Sequence, residues 1–197
     1  MKKVLCTLAV LAAFSMGILS GCSNETAAPV ATNSESKTPV FMKLPERLDK
    51  SVAKVVSVTK FITVAQGGTI TLRDTYRAAP DSHLVTIHLK LDFKSNDLPY
   101  DDSVTVALDS RLFLTNANMT FGPDGIIFNH PVKLELDATG LTLDVVKKKL
   151  KLYYVNGGVW QEMPKSSAHY DDHRGKLDAK GDLPHFSQYA FGRVNEQ

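Results

Sequence analysis

Between Val85 and Phe93 every second residue is large and apolar: Val85, Ile87, Leu89, Leu91 and Phe93 alternate with Thr86, His88, Lys90 and Asp92. Neighbouring side chains of an extended chain point to opposite faces, so this stretch has one dry and one wet face as a strand and no coherent face as a helix. The same period recurs at Ile70 and Leu72, at Val104, Val106 and Leu108, at Val132, Leu134 and Leu136, and at Leu150, Leu152 and Tyr154. Residues 52–64, rich in Val, Ile and Thr, predict another strand or two. Turn residues punctuate these runs. Gln66-Gly67-Gly68 and Asn156-Gly157-Gly158 each predict a hairpin turn, and Gly122-Pro123-Asp124-Gly125 has Pro and Gly where a β-turn wants them. Only Leu141 to Lys149 suggests a helical turn, with Asp144 as its cap and Lys147, Lys148 and Lys149 at its C-terminal end. Many short half-buried strands with frequent turns predict an all-β fold, a two-sheet antiparallel β-sandwich.

The N-terminus has a different pattern. Lys2 and Lys3 precede an uncharged, almost wholly apolar run from Val4 to Leu19, about 16 residues and shorter than the roughly 20 a membrane-spanning helix needs. A charged start, a short apolar run and then small residues predict a secretory signal peptide over 1–21. Its end, Leu19-Ser20-Gly21-Cys22, resembles the bacterial lipobox. That resemblance implies a diacylglyceryl group on the Cys22 thiol and cleavage just before it. Two or more acyl chains hold a protein stably at a membrane where one does not. The expected address is the bacterial cell envelope, through a lipid anchor at Cys22. Ser23 follows, with no Asp as an inner-membrane retention signal, so a Gram-negative host implies the outer membrane. Ser23 to Pro39 is rich in Ser, Thr, Asn, Ala and Pro and has too little apolar surface to order itself. Its 17 residues would reach about 20–25 Å as a flexible coil. We expect lipidated cysteine and tether over 22–45, with Val40, Phe41 and Leu44 marking where the chain docks, and one sandwich over 46–197.

Charge and cysteine content exclude some functions. The chain has 23 Lys and Arg against 21 Asp and Glu. Loss of Lys2 and Lys3 with the signal leaves it nearly neutral, which argues against nucleic acid as a partner. Cys6 would leave with the signal and Cys22 would carry lipid, so no disulfide is available to staple the domain.

Three segments are more specific than composition: Phe121-Gly-Pro-Asp-Gly-Ile-Ile-Phe128 with Pro131-Val132-Lys133-Leu134, Leu152-Tyr153-Tyr154 with Asn156-Gly157-Gly158 and Trp160, and His185-Phe186-Ser187-Gln188-Tyr189-Ala190. In that order they resemble the ZU-five domain, the β-sandwich module of zonula occludens proteins, netrin receptors and ankyrins. The resemblance covers roughly Gly67 to Val194. Where the eukaryotic modules usually carry an Ile-Pro-x-Gly-Ala-like segment, this chain has Arg77-Ala78-Ala79-Pro80. The resemblance implies an interaction or structural platform. A few relatives cut their own chain at a His-Phe-Ser sequence, which places a candidate scissile bond between Phe186 and Ser187. There the Ser187 hydroxyl would attack the Phe186 carbonyl in an N-to-O acyl shift, with His185 helping to remove its proton, and a strained peptide would be required. The structural alternative makes Phe186 a core plug and Ser187 a turn residue, with Tyr189 and Phe191 facing inward.

Other candidates are weaker. His169, Asp171, Asp172 and His173 have metal-ligating side chains, but no spacing fixes their geometry and a hairpin tip is normally polar, so no metal and no cofactor is expected. Trp160, Tyr153 and Tyr154 would suit a sugar platform, although strand aromatics are more often packing residues. The chain has no nucleophile elbow, zinc-binding His-Glu-x-x-His helix, phosphate loop or dinucleotide fingerprint. The expectation is a non-enzymatic, lipid-anchored envelope module with a protein or glycan partner. The alternatives are self-processing at Phe186–Ser187 and glycan binding.

Overall fold

The computed structural model describes residues 39–49, 55–109, 118–142, 150–156 and 159–193. The signal sequence, Cys22, residues 23–38, the Leu141–Lys149 turn beyond Thr142 and the Gly157-Gly158 pair lie outside the described residues. What is described is all-β, with two antiparallel sheets packed face to face. Among the described residues twelve strands occur in chain order: β1 (Val40–Phe41), β2 (Val55–Ile62), β3 (Gly68–Arg77), β4 (Leu84–Phe93), β5 (Asp102–Asp109), β6 (Asn118–Gly122), β7 (Ile127–Thr139), β8 (Lys151–Asn156), β9 (Val159–Glu162), β10 (Ser166–Asp171), β11 (Lys176–His185) and β12 (Gln188–Arg193). One sheet has seven strands in the order β2-β5-β6-β12-β8-β9, with β1 also on β12; the other has five, in the order β10-β11-β7-β4-β3.

The period-two pattern explains the core. On β4, Val85, Ile87, Leu89, Leu91 and Phe93 are 0–3% exposed and their intervening neighbours are half-buried. Each such side chain removed from water contributes roughly 1.5–3 kcal/mol before chain entropy is charged against it. Val104, Val106 and Leu108 of β5 and Leu152 of β8 face them from the other sheet and are equally buried. The packing between sheets is tight: a Cβ on Gly181 of β11 would lie 2.7 Å from Leu152 Cδ2.

Two expectations need correction. Gln66-Gly67-Gly68 does make a tight turn, with Gly67 N–H donating to Thr63 O at 2.8 Å and Gly67 at φ +66°. It does not close a two-stranded hairpin, however, because β2 belongs to one sheet and β3 to the other. The turn is a corner of the sandwich. A Cβ on Gly67 would fall 2.2 Å from Phe93 O, so the corner needs glycine for clearance as well as for conformation.

The second correction concerns residues 40–45, assigned above to the tether. They belong to the sandwich. β1 pairs with β12, Met42 N–H donates to Phe191 O at 2.8 Å, and Met42 and Leu44 are 1% and 9% exposed. The chain then crosses to the five-stranded sheet, where Arg47 bridges Ala78, Leu48 N–H donates to Arg77 O at 2.9 Å and Ala79 N–H donates to Glu46 O at 2.7 Å. This strap lays apolar side chains over the core where the two sheets part, so burial and backbone hydrogen bonding both hold it.

Candidate functional site

The most specific sequence signal, His185-Phe186-Ser187, is where the chain changes sheets, between β11 and β12. On β11 the inward residues include Leu183, and on β12 they include Tyr189 and Phe191, with Phe186 inward between them. The steps Leu183–Phe186–Tyr189 break the period of two because the chain is crossing from one layer to the other. A register irregularity precedes the crossing: Leu183 faces Val132, but His185 faces Ile127, and the extra residues on β7 include Pro131. Proline lacks the N–H that a ladder needs, and such irregularities re-aim a strand end. Here the consequence is that His185 and Ser187 reach the surface on either side of a buried phenylalanine.

Phe186 is 1% exposed, with ring centroids 4.7 Å from Phe128 and 6.3 Å from Phe93. Its N–H donates to Ile126 O at 2.9 Å. His185 Nδ1–H donates to the Phe186 carbonyl at 3.1 Å. The Ser187 hydroxyl donates to Val155 O at 3.0 Å, and the Ser187 carbonyl accepts from Phe121 N–H at 3.2 Å. Tyr189 donates its phenol proton to His185 O at 2.7 Å, and its burial holds that proton far above the ordinary phenol range. His185 lies 5.1 Å from the Tyr154 ring. An open cleft of about 690 Å³ adjoins the segment, lined by His185, Ser187 and Gln188 and by the Asp124-Gly125 turn and Ile127.

This arrangement bears on the acyl shift. The carbonyl under attack has a donor on its oxygen, which would favour a tetrahedral oxyanion. The attacking hydroxyl, however, is committed to a backbone carbonyl, which cannot accept its proton chemically, and His185 turns its N–H to the Phe186 oxygen. Among the described residues, the non-glycine residues at positive φ are Ser82 and Asn96, and neither lies in this segment.

The three aromatics proposed as a sugar platform separate onto two faces of the seven-stranded sheet. Tyr154 packs against the core and donates to Gln161 Oε1 at 2.7 Å. Tyr153 lies on the other face, 3% exposed, in edge contact with Phe41 at 6.1 Å, and Phe41 packs at a tilt against Trp160 at 4.4 Å. Phe41 thus lies against both rings, and these contacts fasten β1 to the sheet.

The polar loop expected at His169–His173 is the β10–β11 hairpin tip. Asp171 Oδ1 accepts from His173 N–H at 3.1 Å and Arg174 N–H at 3.2 Å, so its carboxylate caps the turn. Asp172 and His173 are exposed on the same tip. Among the described residues, no three His, Cys, Asp or Glu side chains converge to hold a metal ion.

His169 instead belongs to a row that sequence reasoning missed. Across the outer face of the five-stranded sheet, Arg73, His88, Asp137, Asp178 and His169 are successive cross-strand partners. Asp137 and Asp178 hydrogen-bond to each other, which holds Asp137 above the usual carboxylate range, while Lys176 holds Asp178 below it. A polar residue at each outward position was the only trace of this row in the sequence. His83 is clasped between Asp81 and Gly140 O, the latter at 2.9 Å; the Asp81 carboxylate raises the affinity of the ring for its second proton.

No family model, curated protein or solved structure matches this chain.

Proposed function

We propose that the chain is a lipid-anchored, non-enzymatic interaction module of the bacterial envelope, held by acyl chains on Cys22 and built on a β-sandwich similar to the ZU-five domain. The observation that carries the non-enzymatic part is the bonding of the one segment with catalytic residue types. Phe186 is packed among Phe93 and Phe128 at 1% exposure, and the Ser187 hydroxyl is tied to Val155 O at 3.0 Å. In this reading the segment is a splice between sheets. The anchor rests on Leu19-Ser20-Gly21-Cys22 after a short apolar run.

Two measurements test this. Radiolabelled palmitate fed to an expressing bacterial host is expected to enter the chain and to be lost in Cys22→Ser; an unlabelled wild-type chain removes the anchor from the proposal. Purified protein is expected to keep its full mass on prolonged incubation, with or without hydroxylamine. Release of a C-terminal peptide beginning at Ser187, abolished by Ser187→Ala, would establish self-cleavage in its place.

A further inference from the structure

Edge strands carry unpaired N–H and C=O groups, and folded proteins guard them with short length, charge, proline, bulges or a covering segment. Among the described residues, and apart from the two-residue β1, the sandwich has four such edges: β2 and β9 in one sheet, β3 and β10 in the other. Three carry such guards. β9 has four residues and ends in Glu162, which pairs with Lys151 at 3.1 Å. β3 points a charge inward, the buried Asp74, and the strap covers its end through Arg47 and Ala78. β10 exposes the polar Ser167 and His169 and ends in Asp171.

β2 has none of these. Its eight residues, Val-Val-Ser-Val-Thr-Lys-Phe-Ile, pair with β5 without a break from Val55↔Asp109 to Ile62↔Asp102. It contains no proline. Its one charge, Lys60, does not stand guard, because Nζ reaches across to donate to Thr69 O of β3 at 2.9 Å. Val55 and Phe61 are 41% and 60% exposed on the outer face.

We infer that β2 is an interface for a second copy of this chain, pairing antiparallel with its own counterpart about a two-fold axis at Val58. The argument is the symmetry of the strand. Val55 and Phe61 lie three residues either side of Val58 and share a face. An antiparallel pair centred there sets Val55 of each copy against Phe61 of the other and covers both exposed apolar side chains together. It sets Ser57 against Thr59 and the half-buried Val58 against itself. Lys60 falls opposite Val56, so no like charges meet. Such an isologous contact closes as a dimer and merges two seven-stranded sheets into one. This names a partner for the interaction module proposed above, yet it needs no lipid anchor: palmitate labelling with no β2 pairing would overturn this inference alone.

Cysteine cross-linking of the full-length chain in detergent extract reads the register directly. On the two-fold axis a residue meets itself, so Val58→Cys is expected to give a disulfide-linked dimer under mild oxidation, at least ten-fold above the wild-type chain with its Cys6 and Cys22. Val56→Cys and Lys60→Cys are each expected to stay at the wild-type background alone and to cross-link when the two are mixed. Adding Phe61→Lys to Val58→Cys is expected to remove most of the dimer, with an unchanged β circular-dichroism spectrum showing that the fold survives. A Val58→Cys chain at background, equal cross-linking at all three single positions, or cross-linking only to a different protein would overturn the inference.

Discussion

Phe186→Ala is expected to lower the unfolding free energy by about 3–5 kcal/mol, the range for truncating a fully buried aromatic. The side chain is 1% exposed and its ring packs against Phe128 of β7 and Phe93 of β4, so neither neighbour can collapse into the space without moving a strand. The site is also where β11 hands the chain to β12, and loss of the plug loosens the hydrogen bond of Phe186 N–H to Ile126 O. Urea unfolding followed by circular dichroism measures the change. Ser187→Ala is the informative companion. It removes one hydroxyl donor from Val155 O and is expected to lower stability by only about 1 kcal/mol. A Phe186→Ala loss below about 1 kcal/mol would show that the crossover is not the structural splice described here.

Asp74→Ala is expected to be nearly as damaging, by about 3 kcal/mol, the lower part of the range for breaking a buried ion pair from one side. Asp74 is 7% exposed on the inner face of an edge strand, where a lone carboxylate would be strongly unfavourable. It is tolerable because Arg47 of the strap meets it, with its guanidinium carbon 4.1 Å above the Tyr76 ring. The Tyr76 hydroxyl in turn donates to Pro45 O at 2.9 Å, and burial pushes its pKa up to about 12. Removing Asp74 leaves Arg47 charged with only 18% of its side chain exposed. The double replacement Asp74→Leu with Arg47→Met is expected to recover most of the loss, because a matched apolar pair leaves no charge stranded. The same unfolding measurement on single and double variants decides it: a double variant as unstable as Asp74→Ala would mean that the strap depends on more than charge pairing.

Much of the architecture was legible because it is local. The alternation Val85, Ile87, Leu89, Leu91, Phe93 is a property of nine consecutive residues, and β4 buries those five. The β3–β4 and β8–β9 pairs are antiparallel neighbours in both sequence and space. The corner at Gly67 was legible as a turn but not as a change of sheet, since the same local dihedrals serve both and the choice depends on which strand waits beyond. The strap was legible as apolar residues near Val40 and illegible as structure, because β1 is two residues long and its partner lies at Gly192 and Arg193. For the candidate site, the inward role of Phe186 could be read from the broken period around it. The hydrogen bond of Ser187 and the cleft beside it could not, because Val155 comes from β8 and the cleft wall from the β6–β7 turn.

The sequence alone determined that this chain builds an antiparallel all-β body, and it determined which side chains that body hides, because inward and outward positions follow from covalent geometry repeated every two residues. The tertiary structure decided which strands became neighbours, and with that the carboxyl pair of Asp137 and Asp178, the partner of Asp74, and which edge has no guard among the described residues. Those are matters of long-range pairing, settled by the burial of both sheets at once, and no window of sequence contains them.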